Sequence, residues 1–258
     1  MKKSIGLNTN QLKYIALSFM VLDSAFFAFP GLPAWLHLIT RFVAPLFAYL
    51  TLEGFFHTRN RKRHLLRLWS VAILMQIGDF LSQLLLGKEH LINDNIFLTL
   101  ALGYSFLYFW QKARDHDRPI LNSVLGSLIF LASLFLSLIG LPFGAMVITL
   151  EGGIPILTLM LIFWAFYDHR RKQLIIFGIW SVISFLILGP DMNVSAAPSF
   201  SVWFEMFCYN SDCMSFLFLP FLFLYNGQKG SSKPIHKWFF YIFYPLHLWI
   251  LHLLAFFL

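Results

Sequence analysis

Runs of apolar residues, each close to 20 residues long, recur along the whole chain and alternate with short segments that hold most of its charge. A helix needs about 20 residues to cross the hydrocarbon of a bilayer, where only helices and closed barrels satisfy their backbone hydrogen bonds. The alternating pattern of a barrel strand is absent, so the runs predict helices. The composition agrees, since 59% of the 258 residues are hydrophobic, 12% are charged and the mean hydropathy is +0.71. The sequence therefore predicts an all-α, polytopic membrane helical bundle.

About nine transmembrane helices are predicted, near residues 12–30, 35–56, 65–86, 95–111, 119–138, 144–167, 173–189, 203–226 and 236–257. With a cytoplasmic amino terminus, 17 of the 19 Lys and Arg residues lie on the cytoplasmic side, leaving Lys88 outside and Arg41 within the membrane. The positive-inside rule favours this topology, which places the carboxyl terminus on the extracytoplasmic side. It also explains the net charge of +7 without nucleic acid, so we expect no nucleic-acid partner. No cleavable signal is evident after the first run.

Several charged residues fall inside the predicted spans, and four of them, Asp23, Arg41, Glu53 and Glu151, are considered as site residues. Charges are costly there unless they face a bundle interior or water, so they are functional candidates. Asp23 lies near the middle of the first span, whereas Arg41 and Glu53 share the second span too far apart to pair with each other. Glu151 lies in a segment rich in Gly and Pro, residues 140–154, where we expect a broken helix with exposed backbone groups. A simple packing kink is the alternative, although it leaves Glu151 unexplained.

The most basic part of the chain is residues 57–64, which we call the basic segment. It follows the second span and contains Arg59, Arg61, Lys62 and Arg63. One interpretation is an anchor that interacts with anionic lipid. The other is a binding surface for a polyanion, because Arg and Lys side chains donate hydrogen bonds to phosphate. A phosphorylated cytoplasmic cofactor would suit the second interpretation.

The last span carries His247 near its middle, shortly after Pro245, which removes a helical hydrogen bond. This histidine is either a hydrogen-bonded core residue or a group that transfers protons.

The two cysteines, Cys208 and Cys213, are either a small disulfide ring or two free thiols. They do not indicate a metal site, because no histidine accompanies them, and we predict no metal.

Several sequence blocks together are similar to one family. They are Arg41-x-x-x-Pro45-x-Phe47, Glu53-Gly54-Phe55-Phe56-His57-Thr58-Arg59-Asn60, Asn95-Ile96-Phe97-Leu98-Thr99-Leu100, Leu224-Tyr225-Asn226-Gly227 and Phe243-Tyr244-Pro245-Leu246-His247-Leu248. In this order they resemble the TraX family of integral membrane proteins, whose namesake acetylates the amino terminus of F pilin. Members of that family typically carry an Asp-His pair in the first helix, whereas here Asp23 is followed by Ser24. If that histidine accepts a proton or carries the acetyl group elsewhere, this chain must use another group.

The resemblance implies a single acyltransferase-like domain over residues 1–258, in the cytoplasmic membrane. It implies an enzyme that transfers acetyl from cytoplasmic acetyl-CoA to an amine or hydroxyl, either a peptide amino terminus or an envelope glycan. We expect His247 to be the base or proton relay, oriented by Asp23 or Glu151. Arg41 and Tyr244 are expected to stabilise the acceptor or the oxyanion.

The residues expected to bind the CoA moiety lie on the cytoplasmic side, where their donors suit its phosphates. They are Glu53, His57, Arg59, Arg61, Arg63, Asn226 and Lys229. Two other functions fit the same charged residues. One is a transporter or flippase, because intramembrane charges also mark substrate paths. The other is a non-catalytic membrane assembly partner, which the missing histidine of the first helix supports.

Overall fold

The computed structural model describes residues 6–29, 31–86, 95–143, 146–189 and 199–257. The helices are α1 Thr9–Ala28, α2 Trp35–Thr40, α3 Val43–His57, α4 Arg61–Leu86, α5 Ile96–Arg114, α6 Pro119–Leu138, α7 Gly153–Ala165, α8 Arg170–Leu188, α9 Phe200–Tyr209, α10 Leu219–Leu224 and α11 Pro234–Phe257. Short 3₁₀ helices cover Ser211–Cys213 and Ser215–Phe218. Strands β1 Leu141–Phe143 and β2 Met146–Ile148 pair antiparallel. The predicted all-α class is confirmed apart from this hairpin.

Within the described residues, five helical segments are long and apolar enough to cross a membrane. They are Thr9–Ala28, Trp35–His57, Arg61–Leu85, Pro119–Leu138 and Trp238–Phe257. These helices make the chain a membrane protein. The count of nine spans and the positions of the two termini stay predictions. The predicted external Lys88 and the loop residues 190–198 lie outside the described part of the chain.

The predicted second span, residues 35–56, consists of two helices rather than one. α2 ends at Thr40 and α3 begins at Val43, so Arg41 lies at the interruption. The backbone of Arg41 stays nearly helical, with φ −60° and ψ −13°. The two helices together still form the candidate span Trp35–His57. Arg41 therefore lies at the junction between α2 and α3.

The prediction of a single helix over residues 203–226 is wrong. α9, the two 3₁₀ helices and α10 occupy this stretch. The hydroxyl of Ser211 donates to the Cys208 carbonyl at 2.7 Å and so replaces a helical hydrogen bond at the end of α9. Pro220 has no amide hydrogen to donate, which suits the first turn of α10. The polar residues after Tyr209 thus end one helix before the next begins.

The expected break between residues 140 and 154 is present. The hairpin of β1 and β2 occupies the first part of it, and α7 begins only at Gly153. Gly152 and Gly153 both have positive φ, which an L side chain rarely adopts. Glu151 precedes this turn, and its carbonyl accepts a hydrogen bond from Thr99 Oγ1 at 2.8 Å. The predicted span 144–167 is consequently shortened to 13 helical residues.

The chain divides into two compact units, residues 1–47 with 174–258 and residues 48–173. In the first unit, α1 packs against α2 and α11, and α2 packs against α9. Phe42 and Phe221 stack there with ring centroids 4.1 Å apart. Whether residues 1–258 act as one domain stays a prediction.

In the second unit, α5 packs against α4, α6 and α7, and almost every residue of its first three turns is buried. Small residues allow the close approach of bulky rings. A Cβ atom at Gly54 would lie 2.8 Å from the His64 ring, which in turn packs against Tyr104. The buried Ser105 hydroxyl on α5 accepts a hydrogen bond from Trp69 Nε1 at 3.0 Å and donates to the Ala101 carbonyl at 2.6 Å, so it is satisfied within the unit.

Candidate functional site

A cluster of hydrogen-bonded polar side chains surrounds the carboxylate of Asp23 in the first unit. The Thr40 hydroxyl donates to Oδ1 at 2.6 Å. Arg41 Nη2 lies 2.7 Å from both carboxylate oxygens. His37 Nδ1 lies 2.8 Å from Oδ1. We call these four residues with Asp212 the polar cluster; α1 supplies the acid and the start of the second span supplies its three donors.

Arg41 connects two carboxylates. Its Nη1 is 2.5 Å from Asp212 Oδ1, and its Nε donates to the carbonyl of His37 at 3.0 Å. The Arg41 side chain is 16% exposed and that of Asp23 27%, whereas that of Asp212 is 79% exposed. The pair with Asp23 is thus the shielded one, where screening by water is weakest. With neutral His37, the two carboxylates and the guanidinium carry a formal charge of −1.

His37 is buried, and its imidazole is paired with the carboxylate of Asp23. Because the Asp23 carboxylate only accepts, Nδ1 carries the proton and Nε2 holds the free lone pair. Among the described residues, Nε2 makes no hydrogen bond. The rings of Phe26, Phe27 and Tyr209 surround the imidazole, with centroids 4.9 to 6.2 Å away. This is the arrangement of a histidine general base whose tautomer a carboxylate fixes.

The sequence analysis missed three members of the polar cluster, which are His37, Thr40 and Asp212. His37, Thr40 and Arg41 have the spacing i, i+3, i+4, which places all three on one face of a helix. That spacing could have indicated their common partner. Asp212 carries no comparable signal, because it follows the helical interruption after α9 that the apolar pattern did not reveal.

His247 lies on α11 and contacts α1, but it does not contact the carboxylate of Asp23. Its Nε2 is 3.1 Å from the Ser24 hydroxyl and its Nδ1 is 3.0 Å from the Phe243 carbonyl. The expectation that Asp23 orients His247 is therefore not met, because the carboxylate faces His37. Tyr244 is buried beside His247, with the two rings edge to face at 5.6 Å.

Glu151, the other acid expected to orient His247, belongs to the second unit. There it lies at the turn before α7, held through its main-chain carbonyl by Thr99. Glu53 also belongs to the second unit, where its carboxylate is 3.4 Å from His57 Nε2 and hydrogen-bonds the Tyr49 hydroxyl. Each of the two glutamates is therefore placed by contacts within its own unit.

The arginine side chains of the basic segment differ in whether they have a hydrogen-bond or ion-pair partner among the described residues. Arg61 donates to the Phe55 carbonyl at 3.2 Å and lies 3.6 Å from an Asp115 carboxylate oxygen. By contrast, Arg59 and Arg63 are exposed, and their side chains make no hydrogen bond or ion pair among the described residues. Their charge is not neutralised by any residue in the described part of the unit, which leaves it available to an anion or to lipid headgroups.

Asn226, a predicted CoA ligand, fastens the amino-terminal segment of the first unit. Its Nδ2 donates to the Gly6 carbonyl at 3.1 Å, and its Oδ1 accepts from the Gln228 amide at 2.9 Å. Its own amide donates to the Leu7 carbonyl at 3.0 Å. We call these contacts the terminal clasp. Lys229, the neighbouring candidate, is exposed.

Cys208 and Cys213 are both free and buried, so of the two predicted states the free thiols are present. Burial, together with nearby carboxylates, raises the pKa of both thiols. Their low thiolate content argues against a role as nucleophiles at neutral pH.

Residues 8–255 match the family described as TraX protein. Over 265 residues the chain is 26% identical to the probable fimbrial assembly protein FimC, serogroup H1, of Dichelobacter nodosus, and the alignment covers 97% of each chain. No solved structure gives a significant match. The family match covers every site residue named above.

Proposed function

Because this chain belongs to the TraX family, we propose that it is an acetyltransferase of the cytoplasmic membrane that uses acetyl-CoA as its donor. The observation that carries the proposal is the Asp23–His37 pair next to Arg41. Acetyl transfer to an amine needs a base for the proton of the nucleophile and a positive group near the oxyanion. The polar cluster supplies both kinds of group within one unit.

In this proposal His37 Nε2 takes the proton of the acceptor, and Asp23 stabilises the imidazolium that results. Arg41 has five N–H groups, and four of them point to Asp23, Asp212 and the His37 carbonyl. Among the described residues, one N–H on Nη1 has no acceptor, and we assign it to the oxyanion of the thioester carbonyl. Arg41 is thus pre-positioned by its anionic partners before any substrate enters.

The charge of the polar cluster favours an amine acceptor over a glycan hydroxyl. Its formal charge of −1 attracts an ammonium group, such as the amino terminus of a peptide, more than a neutral sugar. The relative from Dichelobacter nodosus is named a probable fimbrial assembly protein. We therefore propose a fimbrial or pilin peptide amino terminus as the acceptor class.

The donor is proposed to bind through the unneutralised cations on the cytoplasmic side. Arg59 and Arg63 offer free guanidinium groups for CoA phosphates, with His57 and Glu53 beside them, while Arg61 is already engaged. Lys229 is retained as a further candidate, and Asn226 is assigned to the terminal clasp instead.

Purified protein in detergent, incubated with acetyl-CoA and a short peptide with a free amino terminus, tests the proposal. We expect release of CoA together with acetylation of the peptide. His37→Gln should slow release by about 10²-fold or more, the usual contribution of a general base. His169→Gln, an exposed histidine outside the polar cluster, is the matched control.

Unchanged CoA release in His37→Gln would remove that residue from the mechanism. The absence of any CoA binding would overturn the enzyme altogether. If the protein then still bound the peptide, the assembly role would replace catalysis, and peptide or lipid movement across vesicles would indicate the transporter.

A further inference from the structure

Ser24 forms an unusual hydrogen bond for a serine inside a helix. Such side chains commonly bond back to the carbonyl four residues earlier, as Ser18 of the same helix does with Tyr14 at 3.0 Å. Ser24 instead reaches another helix, where its Oγ lies 3.1 Å from His247 Nε2. The contact joins α1 to α11 across 223 residues of sequence.

The direction of this hydrogen bond is determined by the other nitrogen of the ring. His247 Nδ1 lies 3.0 Å from the Phe243 carbonyl, which only accepts, so Nδ1 carries the proton. Nε2 therefore accepts, and the Ser24 hydroxyl donates to it. The ring is also fixed in orientation, because it stacks on Phe243 with an interplanar angle of 7°.

A hydroxyl that donates to a histidine, itself oriented by a third group, is the arrangement that activates a serine nucleophile. Ser24 and His247 are both buried, with 7% and 6% of their surface exposed. A buried ester formed at this position would be protected from bulk water, which a hydrolysis-sensitive intermediate requires.

We propose that Ser24 carries the acetyl group as an ester and that His247 is its base, an inference that rests on the proposed acetyltransferase function. The Ser24 oxygen attacks the thioester carbonyl while His247 Nε2 takes the hydroxyl proton. The carbon–sulfur bond then breaks, and His247 returns the proton to the thiolate, so that CoA leaves as a thiol. An acceptor amine next attacks the ester and gives a proton to a base, the carbon–oxygen bond to Ser24 breaks, and the base passes that proton to the departing serine oxygen, which restores the hydroxyl.

This inference assigns the two histidines to different half-reactions. His247 serves the formation of the ester on Ser24, and His37 serves the attack by the amine, since each is bonded to one of two consecutive residues of α1. It also answers what replaces the histidine that other family members carry after the aspartate. Here the side chain at that position is itself paired with a histidine from the last helix.

The test uses full-length protein in detergent, acetyl-CoA labelled in its acetyl group, and no acceptor. We expect one labelled acetyl group on the peptide that contains Ser24, as found by digestion and mass spectrometry, and its loss when an acceptor peptide is added. Ser24→Ala should carry no label, and His247→Gln should label at least tenfold more slowly. Ser18→Ala is the matched control and should label like the wild type.

Ser24→Cys keeps a nucleophile at this position, so it tests the proposal even if Ser24→Ala fails to fold. It should form a thioester that hydroxylamine removes. Retention of the size-exclusion profile shows that each variant is folded. Acetylation of the acceptor at the wild-type rate by Ser24→Ala, or label on another residue, would overturn the serine intermediate and leave the acetyltransferase standing. Absence of CoA release with any acceptor would overturn both.

Discussion

Asp23 and Ser24 are consecutive residues of α1, and each hydrogen-bonds a different histidine. The partner of Asp23 is His37, 14 residues further along the chain, whereas the partner of Ser24 is His247, 223 residues away. Successive helical residues point about 100° apart, so the two contacts lie on different faces of one turn. Substitutions of Asp23 and of Ser24 can therefore disturb the contact of one histidine without disturbing that of the other.

The ion pair of Asp23 and Arg41 should be strongly coupled energetically. Arg41→Gln should lower the free energy of unfolding by about 3–5 kcal/mol, because it leaves the shielded Asp23 carboxylate without a cation. Asp23→Asn should lower it less, because Arg41 keeps its ion pair with Asp212. The double variant should lose less than the sum of the two. Unfolding in mixed micelles with a denaturing detergent measures all three.

Asp212→Asn is the control for this cycle, since the Asp212 side chain is 79% exposed. Its loss should stay below about 1 kcal/mol. Additive losses in the double variant would contradict the coupling.

The two unneutralised arginines of the basic segment should contribute to CoA affinity. Replacing Arg59 and Arg63 together with Ala should raise the Kd for CoA about tenfold at low salt, through the loss of charge-assisted hydrogen bonds. The difference should shrink at high salt, where exposed charges are screened. Isothermal titration at two ionic strengths measures both effects.

The matched control replaces Arg171 and Lys172, which are equally basic and exposed at the start of α8. If this pair lowers affinity as much as the first, the basic segment is a membrane anchor and no specific site.

Substitution of Asn226 should change the stability of the terminal clasp, whereas substitution of Lys229 should change CoA binding. Asn226→Ala removes two hydrogen bonds of the terminal clasp, worth about 1 kcal/mol each. The Leu7 amide, which bonds the Leu224 carbonyl at 2.7 Å, should then exchange with solvent at least tenfold faster. Hydrogen exchange followed by mass spectrometry measures this. Lys229→Ala should leave exchange unchanged and weaken CoA binding, and a CoA defect in Asn226→Ala without faster exchange would restore its role as a ligand.

The two thiols should react slowly with alkylating reagents in the folded protein. Burial raises the pKa of Cys208 and of Cys213, so the reactive thiolate is formed at a higher pH than in an unfolded chain. Alkylation by iodoacetamide should therefore rise with pH later than in detergent-denatured protein, which is the control. Rapid alkylation of the folded chain at pH 7 would contradict the buried position.

Much of the architecture follows from the sequence, because long apolar runs have few alternatives to helices in a membrane. The break before α7 was also predictable, since Gly152 and Gly153 can adopt positive φ where other residues resist it. The break between α9 and α10 was not, because Ser211 ends the helix through one side-chain hydrogen bond inside an otherwise apolar stretch.

The candidate site was only partly predictable for a related reason. A charge in an apolar run indicates that Asp23 and Arg41 need partners, and the structure pairs them. The partner of a histidine, however, depends on how helices are rotated about their axes. His37, which the sequence analysis did not name, occupies the place beside Asp23 that was expected for His247, because α1 presents Asp23 to one neighbour and Ser24 to the other.

The separation of these contacts along the chain has a consequence for biosynthesis. The carboxylate of Asp23 can meet Arg41 as soon as the first helical hairpin has entered the bilayer, so neither charge waits long in hydrocarbon without a counterion. Ser24 meets His247 only when α11, which begins more than 200 residues later in the chain, is in place. The charges of α1 and the second span would therefore be neutralised early, whereas the proposed Ser24–His247 pair would form only after α11 has been made.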